Sequence, residues 1–159
     1  MKRVFFDAAQ NASAIGLFQP GAEILQAGTT VYSMPVGEKN AKYQKFADDY
    51  DIHFVFDDVP VTVDFYAVPR IDIFATDRYG GYIGTVGGLT DSESNFPICY
   101  IDKERNVFHL ASNFTDFLGK CPTWKECLKP CDSVELFSSK ADAMNAHEFV
   151  AEGELNHHI

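Results

Sequence analysis

Three cysteines stand close enough together to raise metal chemistry. Cys121, Cys127 and Cys131 are spaced C-x5-C-x3-C. Zinc needs thiolate or imidazole ligands converging on one tetrahedral point, and its sites are usually built from tighter ligand pairs. No CxxC is present, no His pair matches, and Pro130 disturbs the turn that would align Cys127 with Cys131. These thiols read as small buried side chains, with no metal. A phosphate cradle is the second possibility, because Gly80-Gly81 and Gly84-x-x-Gly87-Gly88 supply flexible backbone. No Lys-Ser or Lys-Thr follows, and no helix opens immediately behind them, so turn chemistry accounts for these glycines better. The five histidines are scattered; His109 alternates with Phe108 and Leu110 as in a strand, and His157 and His158 lie at the tail. No Ser or Cys sits in a nucleophile motif with a placed base. Carboxylates are often adjacent, but in a chain with 23 acidic residues adjacency carries little information. The expectation is a protein with no catalytic residues, no metal and no cofactor.

Charge is the more informative chemistry. The 159 residues carry a net charge of −10, from 23 acidic and 13 basic side chains. Nucleic acid and anionic lipid repel such a surface, so both are poor partners. The acids are also unevenly placed. Residues 46–69 hold Asp48, Asp49, Asp51, Asp57, Asp58 and Asp64 without one Lys or Arg, and residues 130–159 hold six acids against Lys140 alone. A solvated, solubilising face is one meaning of this pattern. A face that steers and docks a cationic partner is the other.

Composition bounds the rest. Hydrophobic residues make up 46% and aromatics 14%, enough for one packed core over residues 1–159 and against disorder. No apolar run approaches the roughly 18 residues of a spanning helix. Lys2-Arg3 and Val4-Phe5-Phe6 are followed at once by Asp7, too short for a signal peptide. The chain is therefore expected in the cytoplasm, where its four cysteines would stay reduced.

The elements follow from hydrophobic period. Ala22 to Gln26 reads as a short helix after the Pro20-Gly21 turn, and Thr29 to Met34 as a strand. Residues 38–50 read as a helix, with Tyr43, Phe46, Ala47 and Tyr50 on one stripe and Glu38 paired with Lys42. Strands are expected at Ile52 to Phe56, Val61 to Tyr66, Ile71 to Ala75, Tyr82 to Val86, Ile98 to Ile101 and Val107 to Ala111. Ile98 to Ile101 is nearly all apolar, as in a central strand covered on both faces. Ser112 or Asn113 caps a helix bearing Phe114, Phe117 and Leu118. A last strand at Val134 to Phe137 and a helix near 140–151 complete the chain. Short turns imply antiparallel pairing, hence an α+β domain with a mostly antiparallel sheet flanked by helices.

Within this pattern, segment 71–118 resembles the core of the SUKH superfamily. Ile73-Phe74-Ala75-x-Asp77 is similar to the strand before that family's glycine turn, and Gly80-Gly81-Tyr82 to the turn and the returning strand. Pro97-Ile98-x-Tyr100-Ile101-Asp102-x-Glu104 resembles the next strand and its acidic exit. Val107 to Ser112 with Phe114, Phe117 and Leu118 is similar to the closing strand and helix. Upstream, Pro35 with Tyr43 and Phe46 is a loose counterpart of the family's first motif, and 52–66 and 121–131 stand outside the pattern. The resemblance implies a curved antiparallel sheet. It also implies a role like that of the family's bacterial members, which bind and neutralise toxins, often nucleases. A basic partner would then meet Asp48, Asp49, Asp51, Asp57 and Asp58, with Asp91 and Glu93 in the 87–96 loop as a second contact. The fungal relatives imply an alternative, a regulatory or scaffold module binding a host protein. A third reading is a small-ligand protein or enzyme with a pocket lined by Phe and Tyr.

Overall fold

Segments that can bury both faces form the centre of the molecule. The computed structural model describes residues 2–8, 22–87, 90 and 95–150. The central sheet is built from β3 (Thr29–Val31), β4 (His53–Phe54), β6 (Ile71–Thr76), β7 (Tyr82–Val86), β8 (Ile98–Ile101), β9 (Val107–Ala111) and β10 (Lys129–Pro130). Its order is β10-β9-β8-β7-β6-β3, and β4 also pairs with β6. β3 and β4 divide one edge of β6: β3 runs parallel to Ile71–Ile73, and β4 antiparallel to Ala75 and Thr76. β6 through β9 form the antiparallel meander that their short turns demand.

β8 is buried along its whole length and divides the core. On one face Ile98 and Tyr100 join Phe74, Ile83, Leu110 and Trp124. On the other Cys99 and Ile101 join Ile71, Ile73, Phe65 and Val134. The first face lies beneath two helices, α1 (Ala41–Tyr50) and α2 (Phe114–Lys120), and a 3-10 segment at Cys121–Cys127. α2 starts where Asn113 accepts from Asp116 N (2.8 Å) and Asp116 accepts from Ser112 N (2.9 Å), so side chains satisfy two amides at the helix entry.

Two smaller sheets adjoin this one. β1 (Lys2–Asp7) and β2 (Ala22–Ala27) pair in parallel, and β5 (Tyr66–Val68) pairs antiparallel with β11 (Glu135–Phe137). With α3 (Lys140–Ala146) they enclose a small cluster around Phe5, Ala27, Val68 and Ala143.

The α+β class holds, and several elements differ from expectation. Ala22–Ala27 is a strand and not a helix, because β1 supplies a partner along all six residues. The pairs β1–β2 and β3–β6 are parallel, which turn length alone does not indicate. Val61 to Phe65 shows the expected alternation of burial but pairs with no strand among the described residues, while Tyr66–Val68 does. Glu38 belongs to a 3-10 turn ahead of α1, so it does not occupy an i,i+4 position on the helix with Lys42. α3 ends at Ala146, since His147 turns extended. No helix among the described residues is long and apolar enough to cross a membrane.

Candidate functional site

α1 carries Asp48 and Asp49 and ends on Asp51, three of the acidic residues singled out from the sequence. Asn40 caps it, accepting from Lys42 N (3.0 Å) and Tyr43 N (3.4 Å). Tyr43, Phe46, Ala47 and Tyr50 turn toward the sheet, yet no side chain of this helix is fully buried. The helix stands proud of the domain, with a hollow on each side.

At its end the chain reverses on Asp51, whose φ of 58° is left-handed. Asp51 N donates to Ala47 O (3.2 Å) and Ile52 N to Phe46 O (3.1 Å), which closes the last turn. The Asp51 side chain is only 5% exposed. Oδ1 accepts from His53 Nε2 (2.9 Å) and from Arg78 N (3.0 Å), with Arg78 Nε at 3.3 Å, and Oδ2 accepts from Lys125 Nζ (3.0 Å). Burial pushes this carboxyl up, but the donors of Lys125, His53 and Arg78 outweigh it and hold it below the usual carboxylate range. Asp51 thus ties α1 to the β6–β7 turn and the 3-10 segment. Trp124 reinforces the same junction, donating from Nε1 to Tyr50 O (2.6 Å).

The other aspartates reach the surface. Asp48 and Asp58 both line a groove of about 510 Å3 beside α1. Its walls include Tyr43, Ala47, Phe54, Phe56 and Val59. Val59 is 60% exposed, so the groove presents apolar surface to water. Asp48 accepts from Gln44 Nε2 (2.9 Å), and Asp58 is paired with Lys39, which holds its carboxyl below the usual range. Asp49 lines a neighbouring cleft with Trp124 and Lys125. Asp57 is exposed and accepts from the Ser33 hydroxyl beside the Met34–Phe56 bridge. Asp91 and Glu93 lie outside the described residues.

The structure therefore brings Asp48 and Asp58 together on one apolar groove, sets Asp49 and Asp57 apart from it, and takes Asp51 into the interior. Sequence reading missed Lys39, Arg78 and Lys125, which offset part of the acidity. Lys125 is 74 residues from Asp51, so spacing carried no signal of their contact.

The remaining candidates have structural surroundings. Asp77 Oδ1 accepts from Tyr79 N (3.0 Å) and Gly81 N (2.7 Å), and its Oδ2 from the Tyr100 hydroxyl (2.5 Å). A Cβ on Gly81 would stand 2.6 Å from the Tyr100 ring, so only glycine fits there. Asp77, Gly81 and Tyr100 thus form one hydrogen-bonded corner. All four cysteines are free. Cys121 is buried and donates to Phe117 O (3.2 Å), while Cys127 and Cys131 are half-buried. Among the described residues no group of three or more His, Cys, Asp and Glu side chains is placed to hold a metal ion. No family model matches the chain, and no curated protein or solved structure matches it.

Proposed function

We propose that this chain is a non-catalytic, SUKH-like protein-binding domain of the immunity type, which binds and neutralises a basic toxin such as a nuclease. The observation that carries the reading is the groove beside α1, where Asp48 and Asp58 border exposed apolar walls. Apolar walls supply the contact area that charge alone lacks, and bordering carboxylates select a partner bearing Lys or Arg next to apolar residues. The net charge of −10 adds long-range attraction that raises the encounter rate with a cationic protein. A nuclease fits this chemistry, because the surface that grips phosphates is itself basic. The curved-sheet architecture and a cytoplasmic place of action belong to the same proposal.

The direct test is co-expression with the product of the adjoining reading frame in the source genome. Growth arrested by that product alone should be restored by this chain, and less so by Asp48→Lys with Asp58→Lys. A neighbour that is harmless and does not bind the chain would remove the immunity reading.

A further inference from the structure

We infer that the second hollow, the cleft between α1 and α2, binds a small amphipathic anion: an aliphatic or aromatic body carrying one carboxylate. This goes beyond the toxin-binding reading and does not rest on it.

The cleft encloses about 530 Å3, within the roughly 300–1,000 Å3 typical of small-molecule sites. Its lining includes the rings of Phe46, Phe54, Phe74 and Phe114. These rings already pack on one another, with centroids 5.2 Å apart for Phe46–Phe54, 5.9 Å for Phe54–Phe74 and 5.7 Å for Phe74–Phe114. A floor fixed by such contacts is formed before a ligand arrives, which removes an ordering cost. Tyr32 and Leu118 also line the cleft and are each 43% exposed. An apolar ligand seated between them would cover surface that the fold leaves in water.

The charge of the lining decides the ligand class. Lys42 is the one Lys, Arg, Asp or Glu among the described lining residues. Its ammonium lies 5.7 Å from the Tyr43 ring centroid, on the cleft wall, and it forms no ion pair among the described residues. A cation beside an apolar cleft favours an anionic headgroup, repels a cationic one and does little for a neutral ligand. The anion must be a free amphiphile and not a lipid surface, which a chain of net charge −10 would repel. Apart from Lys42 and the Tyr32 and Tyr43 hydroxyls, the described lining residues carry no ionisable group, which suits binding of an apolar body.

The test uses the purified full chain and the dye 8-anilinonaphthalene-1-sulfonate, displaced by decanoate or by decanol. The inference predicts one saturable dye site that both compounds empty. Lys42→Glu should lower the decanoate affinity, relative to decanol, by about fivefold, the effect of losing one surface charge pair. Thr115→Trp, at an exposed lining position on α2, should fill the cleft and weaken dye and decanoate roughly tenfold while the thermal transition stays cooperative. If that variant does not fold, Leu118→Asp, which removes apolar wall and sets a carboxylate in the cleft, should weaken dye and decanoate binding instead. No saturable dye binding to the folded chain would overturn the inference. So would an unchanged decanoate-to-decanol ratio in Lys42→Glu, or undiminished binding in the cleft-filling variant.

Discussion

At the scale of single residues, the buried carboxylate of Asp51 has the clearest energetic role. Asn tolerates the left-handed backbone at this position, so Asp51→Asn removes the charge and keeps the turn. Arg78 and Lys125 are 60% and 46% exposed and can return to water. The loss should therefore stay at about 1.5–3 kcal/mol, the usual range for hydrogen bonds to a charged group. Urea midpoints of the two proteins measure it. The carboxyl is held below its ordinary value in the fold, so its contribution is complete above the unfolded pKa of about 4. It fades as pH falls through the lower folded value, and the gap between wild type and Asp51→Asn should close on acidification below pH about 4.

Two further residue-scale outcomes follow from burial. Tyr100→Phe leaves the Asp77 carboxylate one donor short and should cost about 1–3 kcal/mol in denaturant unfolding. Burial pushes the Cys99 thiol up to about 12 and Cys121 up to about 11. Only the thiolate is a nucleophile, so an aromatic disulfide reagent at pH 8 should modify Cys127 and Cys131 in the native protein. Cys99 and Cys121 should react only on unfolding, as peptide mapping would show.

At the scale of elements, legibility tracked how local the cause of each element is. β8 could be read because a strand covered on both faces is apolar at every position, and Ile98 to Ile101 is. α1 could be read from the stripe of Tyr43, Phe46, Ala47 and Tyr50. The α2 cap was narrowed by sequence to Ser112 or Asn113, and it is Asn113. Ala22–Ala27 could not, because its strand state depends on a parallel partner at Lys2–Asp7 whose choice leaves no local mark. Val61 to Phe65 misled for the opposite reason: alternation reports one buried face and not the presence of a paired neighbour. The site was legible in the same uneven way. Sequence shows that aspartates cluster between 48 and 58, and only folding decides which of them face water. α1, with no fully buried side chain, rests on its cap and half-buried stripe. Its amides should exchange with solvent well before those of β6 to β9. Asn40→Ala should widen that difference at a cost of about 1 kcal/mol, read by hydrogen exchange resolved along the chain.

At the scale of the molecule, two hollows flank one proud helix, and they differ in chemistry. The groove bearing Asp48 and Asp58 has a mixed rim, in which Lys39 pairs with Asp58 and Arg78 also lines the wall; the cleft on the α2 side is aromatic, with Lys42 as the charge among its described lining residues. Tyr43 and Phe54 line both. A protein partner covering α1 would therefore meet Asp48, whose carboxylate has no basic partner among the described residues, beside an apolar wall, and the long-range field of the chain would set how fast it arrives. The central claim is that this rim docks a basic partner. It is tested most directly by the affinity of the chain for the product of the adjoining reading frame, measured against salt. Wild type should bind more weakly as salt rises, and Asp48→Lys with Asp58→Lys should bind roughly tenfold more weakly at low salt with a flatter salt response. Equal affinities for the two proteins, with the same salt dependence, would contradict the account.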